Sequence, residues 1–386
     1  MNIKDWIRHQ LRPRLTKSTL FDKAKKVFPD ITEYEIEKAY EEIFASEEDK
    51  QIERDLEFYK KEYERFRKRT DIVNEMVSLI SYNITPFNKS KEQWKPSKTT
   101  NRSEETALFL NADAHIGFVV DELEAPATNM QYNKNVAEKR IKYYTEKFLT
   151  LTEERRLTRK MDNCYAVYNG DLVEGNFEKI NISKDNIVEQ IMIAGNIYAN
   201  QLLALSQNYK NVYVKAIYGN HNVIQKGLPE YANFEYVMWR MVEEKCKNLK
   251  NVEFQIPTQP FGLFNIYDWG FCFTHGHMIK INQRTPFYGI ESSYTEIKSV
   301  IEQIGNTFQY LILGHFHTPN ILSVSGGQVI MCGSVCGYTP YALRTMAKNK
   351  YCPPSQFFCS VSPKHGIASW QCTIDLRDIG GENGWY

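Results

Sequence analysis

Five short apolar runs in this chain each close on a histidine, an aspartate or an asparagine, and that repeated ending limits what the chain can fold into. TALFLNADAH closes on Asp113 and His115, and YAVYNGD on Asp171. VYVKAIYGNH closes on Asn220 and His221, WGFCFTHGH on His275 and His277, and YLILGHFH on His315 and His317. Short apolar runs bounded by turn residues read as buried strands. Segments at 135–157, 185–208 and 233–247 carry helical character between them, so the region after residue 105 reads as α/β. In open α/β sheets the carboxyl ends of the strands meet at one crevice, where ligands bind. Six of the eight histidines, two aspartates and an asparagine are therefore expected in one place.

That much polarity is costly to bury without a compensating charge. Mixed nitrogen and oxygen donors suit Mn, Fe, Zn or Ni, whereas an all-oxygen site would suit Mg or Ca. The set is too large for one ion. Two divalent ions about 3.5–4 Å apart, bridged by a carboxylate, fit it better. In D-x-H and H-x-H on extended chain, residues i and i+2 point the same way, so each pair is expected to grasp one cluster. Glycine precedes Asp171, Asn220 and His315 and follows His275. Glycine there lets the chain turn sharply and brings the backbone close to a ligand.

The remainder of the chain reads differently. Residues 1–82 form a charged helical region. Thr32-x-x-Glu35 and Ser46-x-x-Asp49 resemble capping boxes, and Ile52, Leu56, Tyr63 and Phe66 recur at helical spacing. The pair at about 17–28 and 32–44 fits either a helix-turn-helix or a small helical pair that caps or dimerises. Residues 83–104 have linker composition, and 105–386 form the main domain, with hairpins over 321–376 turning at SGGQ and SPKHG. A net charge of +1 argues neither for nor against nucleic acid. No run of about 18 apolar residues occurs, so no membrane span is expected. The first residues, MNIKDWIRHQLRPRL, lack the apolar stretch of a secretory signal, and the cytoplasm of a prokaryote or phage host is the expected location. The eight cysteines include no C-x-x-C pair, which points to reduced thiols in a core and away from a structural zinc site.

The ordered set D113-A-H115, G170-D171, G219-N220-H221, H275-G-H277 and G314-H315-F-H317 resembles the calcineurin-like metallophosphoesterases. CGSVCG at 332–337 resembles the glycine-serine loop that follows the last motif in that family. The resemblance covers about 107–345. It implies a four-layer αββα sandwich, two mixed sheets flanked by helices. It implies that Asp113, His115, Asp171 and His317 hold one metal, and that Asp171, Asn220, His275 and His315 hold the other, with Asp171 bridging. By the same resemblance His221 is no ligand but hydrogen-bonds the substrate phosphate or protonates the leaving oxygen, and His277 orients a ligand. The family usually has an acid after G-N-H, where this chain has Asn222. Such an amide can orient His221 but raises its pKa less than an acid would.

A dinuclear phosphodiesterase is the expected activity, with two divalent ions, manganese first and Mg, Fe, Zn or Ni as alternatives. Ser334 and Cys336 read as loop-packing residues. A DNA nuclease, similar to the nuclease subunits of double-strand-break repair complexes and to phage-type exonucleases, is the favoured reading. It draws on the basic clusters RPR, KAKK and RFRKR, on Trp94 in a lysine-rich linker, and on Lys280 and Arg284 interleaved with Phe287 and Tyr288. DNA is then the expected partner, and the N-terminal helices offer a homodimer contact; the sequence does not decide on an ATPase partner. The alternatives are a small-molecule or nucleotide phosphodiesterase or protein phosphatase, and an inactive scaffold.

Overall fold

The structure, a computed structural model, describes residues 17–39, 57–61, 73–81, 83–87, 103–120, 131–175, 185–224, 229, 231–279, 286–337, 353–377 and 379. They fall into two compact units that divide between Ile72 and Val73.

In the first unit, α1 (Lys17–Val27) is followed by a turn and a helical segment at 33–39. Thr32 and Glu35 form the expected reciprocal cap. The Glu35 N–H donates to the Thr32 hydroxyl at 3.3 Å, and the Thr32 N–H donates to Glu35 at 3.0 Å. Ala24, Ile36 and Ala39 are buried. Residues 57–61 are helical, with Glu57 and Lys61 paired one turn apart at 2.8 Å. The expected cap at Ser46 and Asp49, and the helical positions Ile52, Leu56, Tyr63 and Phe66, lie outside the described residues.

From residue 106 the second unit runs β1 (Thr106–Asn111), α2 (Lys134–Arg156), β2 (Asn163–Asn169), α3 (Ile187–Asn208), β3 (Asn211–Ile217), α4 (Phe234–Cys246), β4 (Val252–Gln255), β5 (Gly262–Ile266), β6 (Trp269–Thr274), α5 (Pro286–Gln303), β7 (Tyr310–Leu313), β8 (Asn320–Val324), β9 (Gly327–Met331), β10 (Ser355–Ser362) and β11 (Gly366–Asp375). Asparagines start three of these helices. Asn133 accepts from the N–H groups of Asn135 and Val136. Asn186 and Glu189 cap each other, and Asn233 accepts from Glu235 N–H.

Two mixed sheets result, ordered β11-β10-β1-β2-β3-β4 and β5-β6-β7-β9-β8. Strand alternation sorts side chains into layers. On β1, Phe109 packs on Tyr144 and Phe148 of α2, while Leu108 and Leu110 point to the other sheet. On β7, Leu311 and Leu313 meet Ile290, Tyr294 and Ile301 of α5, while Ile312 joins Leu108, Val167 and Phe273 between the sheets. Helices α2, α3 and α4 cover the first sheet and α5 the second, the four-layer αββα arrangement.

Strands β1, β2 and β3 are parallel, as are β6 and β7. Their carboxyl ends therefore open toward one edge. The helical segment 73–81, expected in the N-terminal region, packs Val73 against Ala232 and Val237. In the expected linker, the Phe87 N–H donates to the Lys245 carbonyl at 3.0 Å, so Val73 and Phe87 both lie against the α4 region.

Candidate metal centre

Of the donor groups that meet at these strand ends, two share Asp171. In one, ring nitrogens of His115 and His221 and an oxygen of Asp171 lie within 4.8 Å of one another. In the other, Asp171, His275 and His315 do the same. The Nε2 atoms of His115 and His317 face each other at 3.3 Å, and Asp113 Oδ1 is 3.3 Å from His317 Nε2 and 4.0 Å from His115 Nε2. His275 Nε2 lies 2.9 Å from Asp171 Oδ2 and 3.1 Å from Asn220 Oδ1. Asp113, His115, Asp171 and His275 are all buried. Asp113, His115, Asp171, Asn220, His275, His315 and His317 are thus brought together, with His315 beside Asp171 and His275 and His317 beside Asp113 and His115.

The route to this convergence differs from the expected one. The paired residues do not sit on extended chain, because β1 stops at Asn111 and β7 at Leu313. Asp113, His115, Asp171, His315 and His317 have φ of 52°, 46°, 51°, 66° and 55°. Among the described non-glycine residues only Tyr267 joins them in the left-handed region. Such a conformation costs a non-glycine residue of order 1–3 kcal/mol and persists only where the surroundings over-determine it. Here the loops pair with each other. Asp113 N–H donates to the Gly170 carbonyl, His115 N–H to the Asp171 carbonyl, and His315 N–H to both oxygens of Asp113 at 2.9 and 3.1 Å. Once the ladder ends, these cross-loop bonds replace it, and left-handed turns deliver them. The glycines serve close approach: a Cβ at Gly219 would stand 2.0 Å from Asp171 Oδ1, and one at Gly314 would stand 2.6 Å from the Asn169 carbonyl oxygen.

The donor set is electrostatically incomplete without a cation. His275 Nδ1–H donates to the Asn169 carbonyl at 2.7 Å, and its Nε2 faces oxygens of Asp171 and Asn220, an arrangement that needs a proton or a metal ion between nitrogen and oxygens. Burial opposes charge on this ring, yet Asp171 holds its pKa up at about 10. Asp171 in turn stays well below the usual carboxylate range in spite of burial, through His275, His221 and His115. His315 is pushed down to about 4 by burial and by His275. Histidine nitrogens and carboxylate oxygens in two adjoining groups suit a pair of divalent ions.

Two buried carboxylates at this edge were not read from the sequence. Glu174 accepts from His115 Nδ1–H at 2.8 Å and lies 3.4 Å from His221 Nδ1. Despite burial, the two rings keep Glu174 at about 2. His221 is opposed by burial but raised to about 9 by Asp171 and Glu174, and its N–H donates to Asp171 Oδ1 at 3.0 Å. An acid three residues after the motif aspartate, inside the apolar stretch GDLVEG, was the available signal. Glu235, fully buried at the start of α4, accepts from the N–H groups of Leu172, Val173 and Gly219, and so ties the Asp171 and Asn220 loops together. Burial and Asp171 raise it to about 7.

The other residues singled out in the sequence sit differently. Asn222, expected to orient His221, donates its amide to the Val173 carbonyl. The His277 ring is 5.7 Å from that of His275 and 6.5 Å from that of His315, outside both groups. Ser334 is buried and donates to the Asp113 carbonyl at 2.9 Å, so the glycine-serine loop supports that turn. The seven described cysteines are all free. Lys280 and Arg284 lie outside the described residues. No described helix is long and apolar enough to cross a membrane.

Several solved structures resemble this chain. A novel archaeal phosphodiesterase is 16% identical, with a TM-score of 0.33, over 70% of this chain and 99% of its own. Yfce, a phosphoesterase from E. coli, is 13% identical, with a TM-score of 0.28, over 70% and 100%. Vps29 from Entamoeba histolytica, complexed with zinc, is 13% identical, with a TM-score of 0.31, over 70% and 99%. No curated protein matches the chain at a significant level. Residues 172–351 match the model of the calcineurin-like phosphoesterase superfamily domain. With its two mixed sheets between helices and its converging histidines and aspartates, the chain carries a calcineurin-like phosphoesterase superfamily domain.

Proposed function

We propose that this protein is a dinuclear-metal phosphodiesterase and that its substrate is DNA. The observation that carries the catalytic part is the place of Asp171. Its carboxylate stands in both donor groups, so one side chain links them. Asp113, His115, Asp171 and His317 would hold one ion, and Asp171, Asn220, His275 and His315 the other. Bound divalent ions of this kind generate a nucleophile from water near neutral pH and neutralise charge on the phosphate.

The chain's own residues do the rest. Glu174 fixes the His115 ring through Nδ1 and turns Nε2 inward. It also stands beside His221, whose ring packs edge-on at 4.7 Å from that of His115. His221 is thereby presented to the phosphate, where it hydrogen-bonds an oxygen or protonates the leaving group. Glu235 holds the loops that carry Asp171 and Asn220 in register.

Support for DNA comes from the basic clusters of the N-terminal region and from Lys280 and Arg284 just after His277. Tyr288, in the first turn of α5, is 73% exposed, as a side chain that stacks on bases must be. Manganese is the metal we place first, the cytoplasm the location and a homodimer the assembly. The test incubates manganese-loaded protein with linear duplex DNA, single-stranded DNA, bis-p-nitrophenyl phosphate and p-nitrophenyl phosphate. DNA degradation that is lost in Asp171→Asn is the expected result. Monoester cleavage with intact DNA would remove the nuclease reading, and no hydrolysis of any substrate would favour a scaffold.

A further inference from the structure

The His115–His317 side of the cleft holds one more donor than the proposed ligand set uses. Cys336 Sγ lies within 4.8 Å of ring nitrogens of both histidines. Nitrogen and sulfur donors on one ion, at about 2.1 and about 2.3 Å, stand roughly 3.5–4.4 Å apart, so the three atoms are close to a shared span. Among the described cysteines, Cys336 is the one that falls in such a group. Cys164, Cys272 and Cys359 instead sit within strands.

The loop after β9 fixes the position of this thiol. Val335 N–H and the Ser334 hydroxyl both donate to the Asp113 carbonyl, at 3.1 and 2.9 Å. That hydroxyl is 3.1 Å from Cys336 Sγ and accepts the Gly337 N–H at 3.1 Å. From behind, the buried Arg140 of α2 donates to the carbonyls of Val335 and Cys336 at 2.9 and 3.3 Å. The loop is therefore anchored to the same residue whose carboxylate faces His317. The bonds that support the Asp113 turn thereby also set the thiol beside the two histidines.

We propose that Cys336 is a metal ligand, giving a thiolate to the ion held by His115 and His317 and biasing that position toward zinc, iron or cobalt over manganese or magnesium. The preference follows from the softness of sulfur. The step is a simple exchange: the S–H bond breaks, its proton passes to solvent, and the sulfur electron pair forms the bond to the metal, with no change of oxidation state. This proposal rests on the dinuclear reading above, and the experiment separates the two.

Metal-free full-length protein is titrated with Co2+, and its absorption is read without any substrate. Visible d–d bands report cobalt bound in the centre, and a near-ultraviolet sulfur-to-cobalt band reports a thiolate ligand. The wild type is expected to show both, Cys336→Ser to keep the first and lose the second, and Cys372→Ser to keep both. Visible bands in the wild type without the sulfur band, or a sulfur band that survives in Cys336→Ser, would overturn the assignment of Cys336. Absence of the visible bands would remove the metal centre itself. Should Cys336→Ser not fold, Cys336→Ala and the wild-type spectrum decide the same question.

Discussion

Glu174 supplies the carboxylate that the family pattern would put directly after G-N-H. It reaches His221 Nδ1 at 3.4 Å and accepts a hydrogen bond from His115 Nδ1–H at 2.8 Å, while Asn222 turns to the Val173 carbonyl. One acid therefore serves two rings with different tasks. His221→Asn is expected to lower kcat by about 10²–10⁴-fold, the usual worth of a positioned acid or base. Metal per protein, measured by elemental analysis, should stay near the wild-type value. A large metal loss would make His221 a ligand. Glu174→Gln should behave differently, lowering kcat and also weakening metal affinity by about 10–100-fold through His115. The motif residues were legible because their chemistry is tied to residue type at a strand end. Glu174 was not, because its one cue, an acid inside the apolar stretch GDLVEG, marks it as unusual without any motif that would give it a role.

Loops, more than strands, set the geometry of the site at the scale of elements. Asp113, His115 and Asp171 are held by backbone bonds between their loops, His315 N–H is held by the Asp113 carboxylate, and the glycines leave room for that contact. At Gly219 a Cβ would stand 2.3 Å from the Asp171 nitrogen and 2.0 Å from its Oδ1. Gly219→Ala is expected to destabilise the fold by about 1–3 kcal/mol in urea unfolding, as overpacked sites do. Metal titration should show weaker binding as well, because Asp171 must move. Unchanged affinity would mean that the loop yields without disturbing the carboxylate. Strand ends and the α2, α3 and α4 helices could be read from apolar runs and periodicity. The left-handed turns could not, since the residues that adopt them are chosen for their side chains and not for backbone preference. Helix α5 is harder to read, because its first turn carries Phe287 and Tyr288 just after Lys280 and Arg284, a mixture that also fits a strand-binding groove. Yet Pro286 stands at its first position, and Ile290, Tyr294, Ile297 and Ile301 recur at helical spacing toward the second sheet.

For the molecule as a whole, the division of labour between the sheets matters most. The first sheet's loops carry Asp113, His115, Asp171 and Asn220, and the second sheet's loops carry His275, His315 and His317. At this edge the sheets also share a small set of hydrogen bonds. Asn169 donates to the Thr274 and Ile312 carbonyls at 2.7 and 2.9 Å and accepts from His275, and His315 N–H donates to Asp113. Away from the edge, the apolar layer of Leu108, Val167, Phe273 and Ile312 holds them together. Ions bound across the cleft would add a cross-link where that layer ends. A metal present at 100 times its Kd stabilises the folded state by about 2.7 kcal/mol per site. Treatment with a chelator should therefore lower Tm, readdition of manganese or zinc should restore it, and Asp171→Asn should respond to neither. Hydrogen exchange should locate the effect, with faster exchange after chelation at 113–116 and 314–317 and little change along β1, β2 and β7. Equal melting of the chelated and metal-loaded wild type would mean that no ion joins the two sheets.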